Sequence, residues 1–389
     1  MKPFAKRLED FEEGIFQALN DKKNQLEKEG RTVYNFSVGT PDFKPAEHIM
    51  RAVAEAAAKP ENYKYSLADL PELTEAVIER FQKRYGVSLK ESEVTSVYGS
   101  QEGIAHIALP LCDPGDVVLV PNPGYPIFEA GPKLMGAEVR TYDLIEEKGY
   151  LPNLSDIPKE TIERTKFIIV SYPLNPVCKQ APESFYQELI VWAKENGIWI
   201  LHDNAYSDIV YDGKTGRSIL SYEGAKEVAA EFYSLSKSFN YTGARMGFLA
   251  GNEQIVQNFK KIRSQIDYGT FLPVQYGAIA ALTGPDNGVL EQCRAYEERR
   301  NALCDGLTKI GWKFERSEGT MFAWAKIPDG FSDDTQFVME LMEKTGVICT
   351  PGSSFGSLGK NHVRFALVLP VETILEAIAQ IEKSGILKK

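Results

Sequence analysis

No run of about 18 apolar residues occurs anywhere in the chain, so the sequence holds no candidate membrane-spanning helix. The first ten residues, MKPFAKRLED, contain no apolar core of signal-peptide length, and a protein that stays in the cytoplasm is expected. Three N-x-[ST] sequons, at Asn35, Asn153 and Asn240, then read as chance matches. The five cysteines, at 112, 178, 293, 304 and 349, form no C-x-x-C pair and leave one over, which does not suit a disulfide framework. Positive charge is in deficit. A formal net charge of -10 and a pI near 5.2 argue against a non-specific grip on nucleic acid or anionic membrane, and leave small molecules as the expected partners. No G-x-G-x-x-G follows a strand-like run, no G-x-S-x-G elbow appears, and no cysteine and histidine cluster has metal-ligand spacing; a nicotinamide dehydrogenase is disfavoured and no metal site is expected. Internal repeats and low-complexity tracts are also lacking.

With 389 residues and 43% hydrophobic content, the chain can bury a large core in two or three domains. From about residue 93 it alternates β-rich runs with helical stretches, the pattern of an α/β layer with a largely parallel sheet. The strand candidates are Glu93–Tyr98, Asp116–Val120, Glu138–Tyr142, Thr165–Tyr172, Ile198–Asp203, Glu231–Leu235 and Met246–Ala250. A helix over Glu183–Asn196 is opened by Pro182 and closed by Gly197, with an apolar stripe on Phe185, Leu189 and Trp192. Beyond about residue 285 the order changes to a long charged helix, Val289–Ile310, then short strands near Met321–Lys326 and Val363–Leu369, which reads as a smaller α+β domain. The stretch through Lys28 reads as helical and charged, and Thr32–Ser37 as a short strand joining the smaller domain. The expected division is 41–284 for the large domain and 1–40 with 285–389 for the small one.

Open α/β sheets bind ligands beyond the carboxyl ends of their strands, so the residues just past each strand are informative. Gly99-Ser100-Gln101-Glu102-Gly103 leads into a helical run, Ile104–Leu111. Small residues at a helix N-terminus make a phosphate cradle, because free N–H groups and the helix dipole face the anion, although such turns are common. Tyr172-Pro173-Leu174-Asn175-Pro176 holds Asn175 at a strand mouth, and a plain turn would explain the prolines equally well. Asp203, ending an apolar strand in His202-Asp203-Asn204-Ala205-Tyr206, either caps a turn or meets a cation. In Ser234-Leu235-Ser236-Lys237-Ser238, a buried strand delivers a lysine into a hydroxyl-rich turn, with Arg245 eight residues on. Surface lysines are the usual case, but this company suits a phosphate, and a partly desolvated lysine can lose its proton and act as a nucleophile.

Ser234-Leu235-Ser236-Lys237 with Arg245 resembles the pyridoxal-phosphate attachment motif of class I/II aminotransferases, and Asp203-x-x-Tyr206 matches the same family upstream. The similarity runs from about Phe36 to Leu367 and implies the fold-type I architecture: a large domain with a mostly parallel seven-stranded sheet and a smaller α+β domain. It also implies that Lys237 carries pyridoxal 5'-phosphate as a Schiff base and then moves a proton at the substrate Cα. Asp203 would keep the pyridine nitrogen protonated. Tyr206 and Asn175 would hold the phenolic oxygen of the ring, while Arg245, Ser234, Ser236 and the Ser100-Gln101 backbone would clamp the phosphate. Tyr125, in Pro121-Asn122-Pro123-Gly124-Tyr125, stands where the family stacks an aromatic ring on the cofactor, and core packing is the plainer reading of it. Arg364, in Val363-Arg364-Phe365, matches the arginine that takes the substrate carboxylate, which its fork fits with two parallel bonds, and Gly39 would let the backbone approach the same group.

Two departures stand out. Val177-Cys178 replace the usual Thr-Gly after Asn-Pro, so that loop is expected to differ in shape. In Tyr63-Lys64-Tyr65-Ser66-Leu67-Ala68-Asp69-Leu70, Asp69 replaces a glycine; this segment resembles the one whose tyrosine reaches a neighbouring subunit's phosphate, with Tyr65 the choice and Tyr63 the alternative. A shared site implies a homodimer, the commonest oligomer. Ser264–Pro273 and His202–Tyr211 look most like bacterial alanine transaminases, a branch shared with LL-diaminopimelate aminotransferases. The implied reaction moves an amino group between alanine or glutamate and a 2-oxo acid; LL-diaminopimelate or aspartate transamination, or a C–S lyase, would use the same core residues. A regulator on this fold would need an added DNA-binding domain, and the thirty or so residues before Thr32 are too few for one.

Overall fold

A computed structural model describes residues 3–11 and 16–388. Twelve strands are present among them: β1 Tyr34–Asn35, β2 Val94–Val97, β3 Val117–Asn122, β4 Glu138–Asp143, β5 Thr165–Val170, β6 Trp199–Asp203, β7 Ala229–Ser234, β8 Gly247–Gly251, β9 Phe322–Lys326, β10 Val347–Ile348, β11 Thr350–Pro351 and β12 His362–Ala366. Seven of them, one for each strand expected between residues 93 and 250, form a single sheet in the order β2-β8-β7-β6-β5-β3-β4. Pairings from β7 through to β4 are parallel. β8 runs antiparallel to both β7 and β2, so it alone is reversed and β2 points the same way as the rest. The C-terminal ends of β2, β5, β6 and β7 therefore open on one edge, and so does the N-terminal end of β8.

The inner strands carry almost unbroken apolar sequence because helices cover both faces. Val118, Val120, Phe167, Ile168, Val170 and Ile200 are all 0% exposed, and each such side chain contributes about 1.5–3 kcal/mol of burial. The crossover helix Glu183–Asn196 starts after Pro182 and stops at Gly197, whose φ of 66° is the left-handed cap. Its inward stripe is Phe185, Tyr186, Leu189, Ile190 and Ala193; Trp192 is only partly buried. The stripe expected on 185, 189 and 192 is thus corrected at its last position, where Ala193 takes the inward place. The phosphate-cradle helix begins at Ser100 and breaks after His106, with a further turn over Ala108–Leu111.

β2 is an edge strand, and its outer side is closed by Asp69. That carboxylate accepts from the Ser96 backbone N–H at 2.7 Å and from its hydroxyl at 2.5 Å, while Arg263 donates to the Ser96 carbonyl. The residue that departs from the family glycine thus blunts an open edge.

β9, β11 and β12 make a three-stranded antiparallel sheet, and β1 pairs in parallel with β10, Tyr34 against Val347. The 32–37 segment therefore joins the C-terminal part of the chain, as expected. The long charged helix is Asn287–Lys309. At the N-terminus a short 3-10 turn, Lys6–Asp10, precedes the helix Phe16–Lys28, while residues 1–2 and 12–15 of the expected helical stretch lie outside the described residues. Among the described residues no helix is long and apolar enough to cross a membrane, and no cluster of three or more potential metal ligands occurs.

Candidate active site

Five strand ends of the main sheet and one strand of the smaller sheet bring most of the expected residues together. β7 ends at Ser234, whose hydroxyl accepts from Ser236 N at 3.2 Å and starts a single helical turn, Leu235–Ser238, that carries Lys237. The Lys237 amine donates to the Gly39 carbonyl at 2.8 Å. Burial, then the charges of Arg364 and Arg245, pushes its pKa down to about 8, with Asp203 acting the other way. At neutral pH roughly a tenth of it is a free base, the form that attacks a carbonyl.

Asp203 ends β6 and is 8% exposed. Burial drives its pKa up to about 6. The Ala205 backbone N–H acts on the carboxylate, but Oδ1 has no hydrogen-bond partner. A buried, unpaired carboxylate oxygen is costly and needs a donor; the protonated nitrogen of a pyridine ring is such a donor, so this position fits the implied cofactor. The Tyr206 phenol is buried, held well above its ordinary pKa by desolvation, and its ring packs on Phe322 at 5.9 Å.

The phosphate side is equally suited. Gly99 has a φ of 80°, and any Cβ there would run into the Arg245 guanidinium, so glycine lets the arginine lie against the entry to the Ser100–His106 helix. Arg245 donates to the Thr242 carbonyl at 3.0 Å and reaches the Tyr98 carbonyl at 3.4 Å, with no carboxylate partner among the described residues. Its charge and the free N–H groups at Ser100 and Gln101 face one direction of need, an anion. The Tyr125 hydroxyl donates to Gln101 Oε1 at 3.0 Å.

On the smaller sheet, Arg364 is 5% exposed and donates to Asn175 Oδ1 at 2.8 Å and to the Ser37 carbonyl at 3.4 Å. Its Nε has no partner, and burial pushes its pKa down to about 10. The guanidinium lies over the rings of Phe322 at 4.0 Å and Phe355 at 4.6 Å. A Cβ on Gly39 would meet the Phe322 ring at 2.5 Å, so glycine is needed for the backbone to come this close.

Phe322 and Phe355 were not singled out from the sequence, because an aromatic residue in or beside a strand reads as core. Gln292 was missed as well. From the long helix it donates to the Lys237 carbonyl at 2.6 Å, and Asn240 donates to it at 2.5 Å, so the lysine's backbone is tied down. Cys178 has a φ of 62° and its N–H bonds back to Leu174 O at 2.6 Å. The left-handed turn that glycine favours is therefore present with cysteine in it. Tyr65 and Tyr63 stay outside this cluster: they are 74% and 65% exposed and pack on Tyr268 and Phe271 at 5.1 and 5.3 Å.

The comparisons agree with this chemistry. The model of the family "Aminotransferase class I and II" matches residues 31–381. The chain is 38% identical over 381 residues to an LL-diaminopimelate aminotransferase of Moorella thermoacetica, with 97% of each covered. It is 37% identical over 372 residues to the glutamate-pyruvate aminotransferase AlaC of Escherichia coli, covering 95% of this chain and 90% of that one. The solved structure of substrate-bound BacF from Bacillus subtilis superposes with a TM-score of 0.94 at 35% identity over 98% of both chains.

Proposed function

The chain belongs to the class I and II aminotransferases, and on that premise we propose that it moves an amino group between L-alanine or L-glutamate and a 2-oxo acid, in a site shared by two copies of itself. It is a pyridoxal-phosphate-dependent enzyme. The observation that carries the reading is a lysine amine with its pKa lowered to about 8, set between an unpaired carboxylate and a buried arginine. When bound, the cofactor supplies an electron sink for the charge released as the substrate Cα–H bond opens.

The chain's own residues do the rest. Lys237 attaches the cofactor and, once freed by the incoming amine, moves a proton at the substrate Cα. Asp203 keeps the proton on the pyridine nitrogen. Tyr206 and Asn175 hold the phenolic oxygen, and Tyr125 covers the ring. Arg245, Ser234, Ser236 and the N–H groups of Ser100 and Gln101 hold the phosphate. Arg364 and the Gly39 backbone receive the substrate carboxylate, which supplies the anion that the guanidinium lacks.

Donor choice rests on Tyr268, whose ring packs on Tyr65. We assign this aromatic pair to the mouth of the neighbouring site, where it offers no cation to a second carboxylate and so favours alanine. The alternative, LL-diaminopimelate, is favoured by relatives that bear that name at 36–40% identity. The homodimer is supported by exposed Tyr63, Tyr65, Leu67, Tyr268 and Phe271, an apolar patch of the kind that marks an interface. Division into 41–284 and 1–40 with 285–389 is supported by the sheets, since the seven-stranded one spans 94–251 and the small ones use 34–35 and 322–366. Five free cysteines support a cytoplasmic setting.

Absorption spectra test the chemistry. A visible band that needs Lys237 and is bleached by alanine or glutamate is expected; a protein that stays colourless with added pyridoxal phosphate would remove the cofactor and this reading. Initial rates with single donors test the specificity, and a faster rate with aspartate or LL-diaminopimelate than with alanine would overturn it. Ammonia released without a 2-oxo acid acceptor would mark a lyase instead.

A further inference from the structure

The turn that carries Lys237 cannot hold itself. Leu235–Ser238 is a single turn of helix, too short to be stable alone, and its carbonyls are taken from outside it. The Leu235 carbonyl accepts from the N–H groups of Phe239 and Tyr241, both at 3.2 Å, and the Ser236 carbonyl from the Thr242 hydroxyl at 2.8 Å. These partners are near neighbours in the chain. The Lys237 carbonyl is held differently: its donor, the side-chain amide of Gln292, comes from 55 residues away on the Asn287–Lys309 helix and is 4% exposed.

Gln292 is fixed at both ends of its amide. A carbonyl only accepts, so the Gln292 nitrogen faces Lys237 and the oxygen faces Asn240, whose own amide donates to it at 2.5 Å. Asn240 stands at a φ of 55° and also reaches the Lys44 carbonyl at 3.4 Å.

The same helix face continues to the substrate side. Gln292, Tyr296 and Arg299 follow at spacings of four and three residues, which puts them on one stripe, and two turns separate the first from the last by about 10 Å. Tyr296 meets the Phe43 ring edge-on at 5.2 Å, and the Arg299 guanidinium lies over that ring at 4.6 Å. Arg299 also holds both Asp42 oxygens, at 2.7 and 2.8 Å, and donates to the Leu367 carbonyl at 3.0 Å. Asp42 is three residues past Gly39, and Leu367 is three residues past Arg364. One helix face thus grips the lysine's main chain at one end and, at the other, the two segments assigned to the substrate carboxylate.

We propose that Gln292 is a positioning residue for Lys237, setting the reach from its amine to the Cα of a substrate whose carboxylate is held by Arg364. The inference rests on the aminotransferase reading of the site. Carboxylate and Cα are one bond apart in the substrate, so the groups that meet them must keep a fixed separation, and a misplacement of about 1 Å can cost a hundredfold in rate. A main chain free to shift at Lys237 introduces such an error without touching substrate or cofactor.

The test is stopped-flow absorbance of the holoenzyme with the faster of L-alanine and L-glutamate, each also in its α-deuterated form. Gln292→Met keeps the length of the side chain and removes the donor. The isotope-sensitive phase of the visible-band bleaching should slow about ten- to a hundredfold, while the donor concentration for half-maximal rate stays within about twofold. Apoenzyme of this variant should capture pyridoxal phosphate about tenfold more slowly, since the same amine is misplaced. Asn240→Gly keeps the left-handed backbone and removes the second anchor; it should slow the same phase by about threefold. Arg300→Met, on the same helix, breaks the pair with Asp212 and measures mere destabilisation: the melting temperature falls and the isotope-sensitive phase per folded molecule keeps the parent's rate. The proposal is overturned if Gln292→Met and Asn240→Gly both keep the parent's rates, if Gln292→Met loses no more per folded molecule than Arg300→Met, or if the loss appears as weaker donor binding at an unchanged maximal rate. A parent protein whose band neither donor bleaches removes the aminotransferase reading itself, and this inference with it.

Discussion

Arg300 and Arg364 are both buried guanidiniums, 0% and 5% exposed, yet they are partnered in opposite ways. Arg300, on the Asn287–Lys309 helix, holds both Asp212 oxygens at 2.9 Å, donates to the Ser317 carbonyl at 2.8 Å and lies over the Tyr211 ring at 4.6 Å. Arg364 has an amide and a carbonyl, and an Nε with nothing. Of the five buried arginines among the described residues, Arg80, Arg263, Arg299 and Arg300 each have a carboxylate partner and Arg364 has none. A buried charge with its anion supplied by the chain is part of the frame. One without it fits the proposal that Arg364 receives the substrate carboxylate, at a cost that the frame must bear.

The comparison breaks most visibly under truncation. Arg364→Ala should lower kcat/KM for the amino donor about a hundred- to several-thousandfold, some 3–5 kcal/mol, because the substrate carboxylate then enters a dry site unpaired. The melting temperature of the apoenzyme should hold or rise; a clear fall would mean that Arg364 belongs to the frame after all. Arg300→Met should do the reverse, destabilising the fold by about 3 kcal/mol in denaturant titration while kcat per folded molecule stays near the parent's. Asp212 is half exposed, so the orphaned carboxylate can hydrate and the loss stays below that of a fully buried pair.

Asp203 sharpens the same contrast from the acidic side. Its folded pKa of about 6 lies above the ordinary 3.8. The folded apoenzyme therefore holds a proton that the unfolded chain releases, and its stability rises as pH falls from about 6 toward 3.8. At pH 7 the buried charge is a penalty, so Asp203→Asn should stabilise the apoenzyme by about 2 kcal/mol, flatten that pH dependence and abolish most of the activity. An apoenzyme variant less stable than the parent at pH 7 would show that the carboxylate is satisfied within the chain. The smallest effect is kinetic. With a Lys237 pKa of about 8, capture of pyridoxal phosphate by the apoenzyme should quicken roughly tenfold per pH unit below 8 and level off above it. A rate that keeps climbing toward pH 10 would mean an ordinary lysine.

Much of this was legible in the residues. The seven strands of the main sheet were expected with ends within two residues of those observed, since β-rich runs between glycine and proline are local signals. Lys237, Asp203, Arg245, Asn175 and Arg364 were readable because each stands within a strand or close to one of its ends, where the strand has no structural need of it. The partners that complete the site were not. Gln292 is one polar residue on a charged helix, and Phe322 and Phe355 look like core; nothing in their surroundings marks them as lying against a lysine or an arginine. Asp69 was noticed only as a departure, and its work on the edge of β2 needed the sheet order to be seen.

Local pattern thus suffices for the set of elements and for the candidate residues at their ends, because periodicity, caps and turn residues act over a few positions. Which of those ends meet is a matter of long-range packing. The reversal of β8 brings Arg245 to the edge where the parallel strands end, and the Asn175–Arg364 and Lys237–Gly39 bonds join residues 189 and 198 apart in the chain. Contacts at that separation leave no local trace: they follow from how layers pack to bury their apolar faces, and that packing is a property of the whole chain.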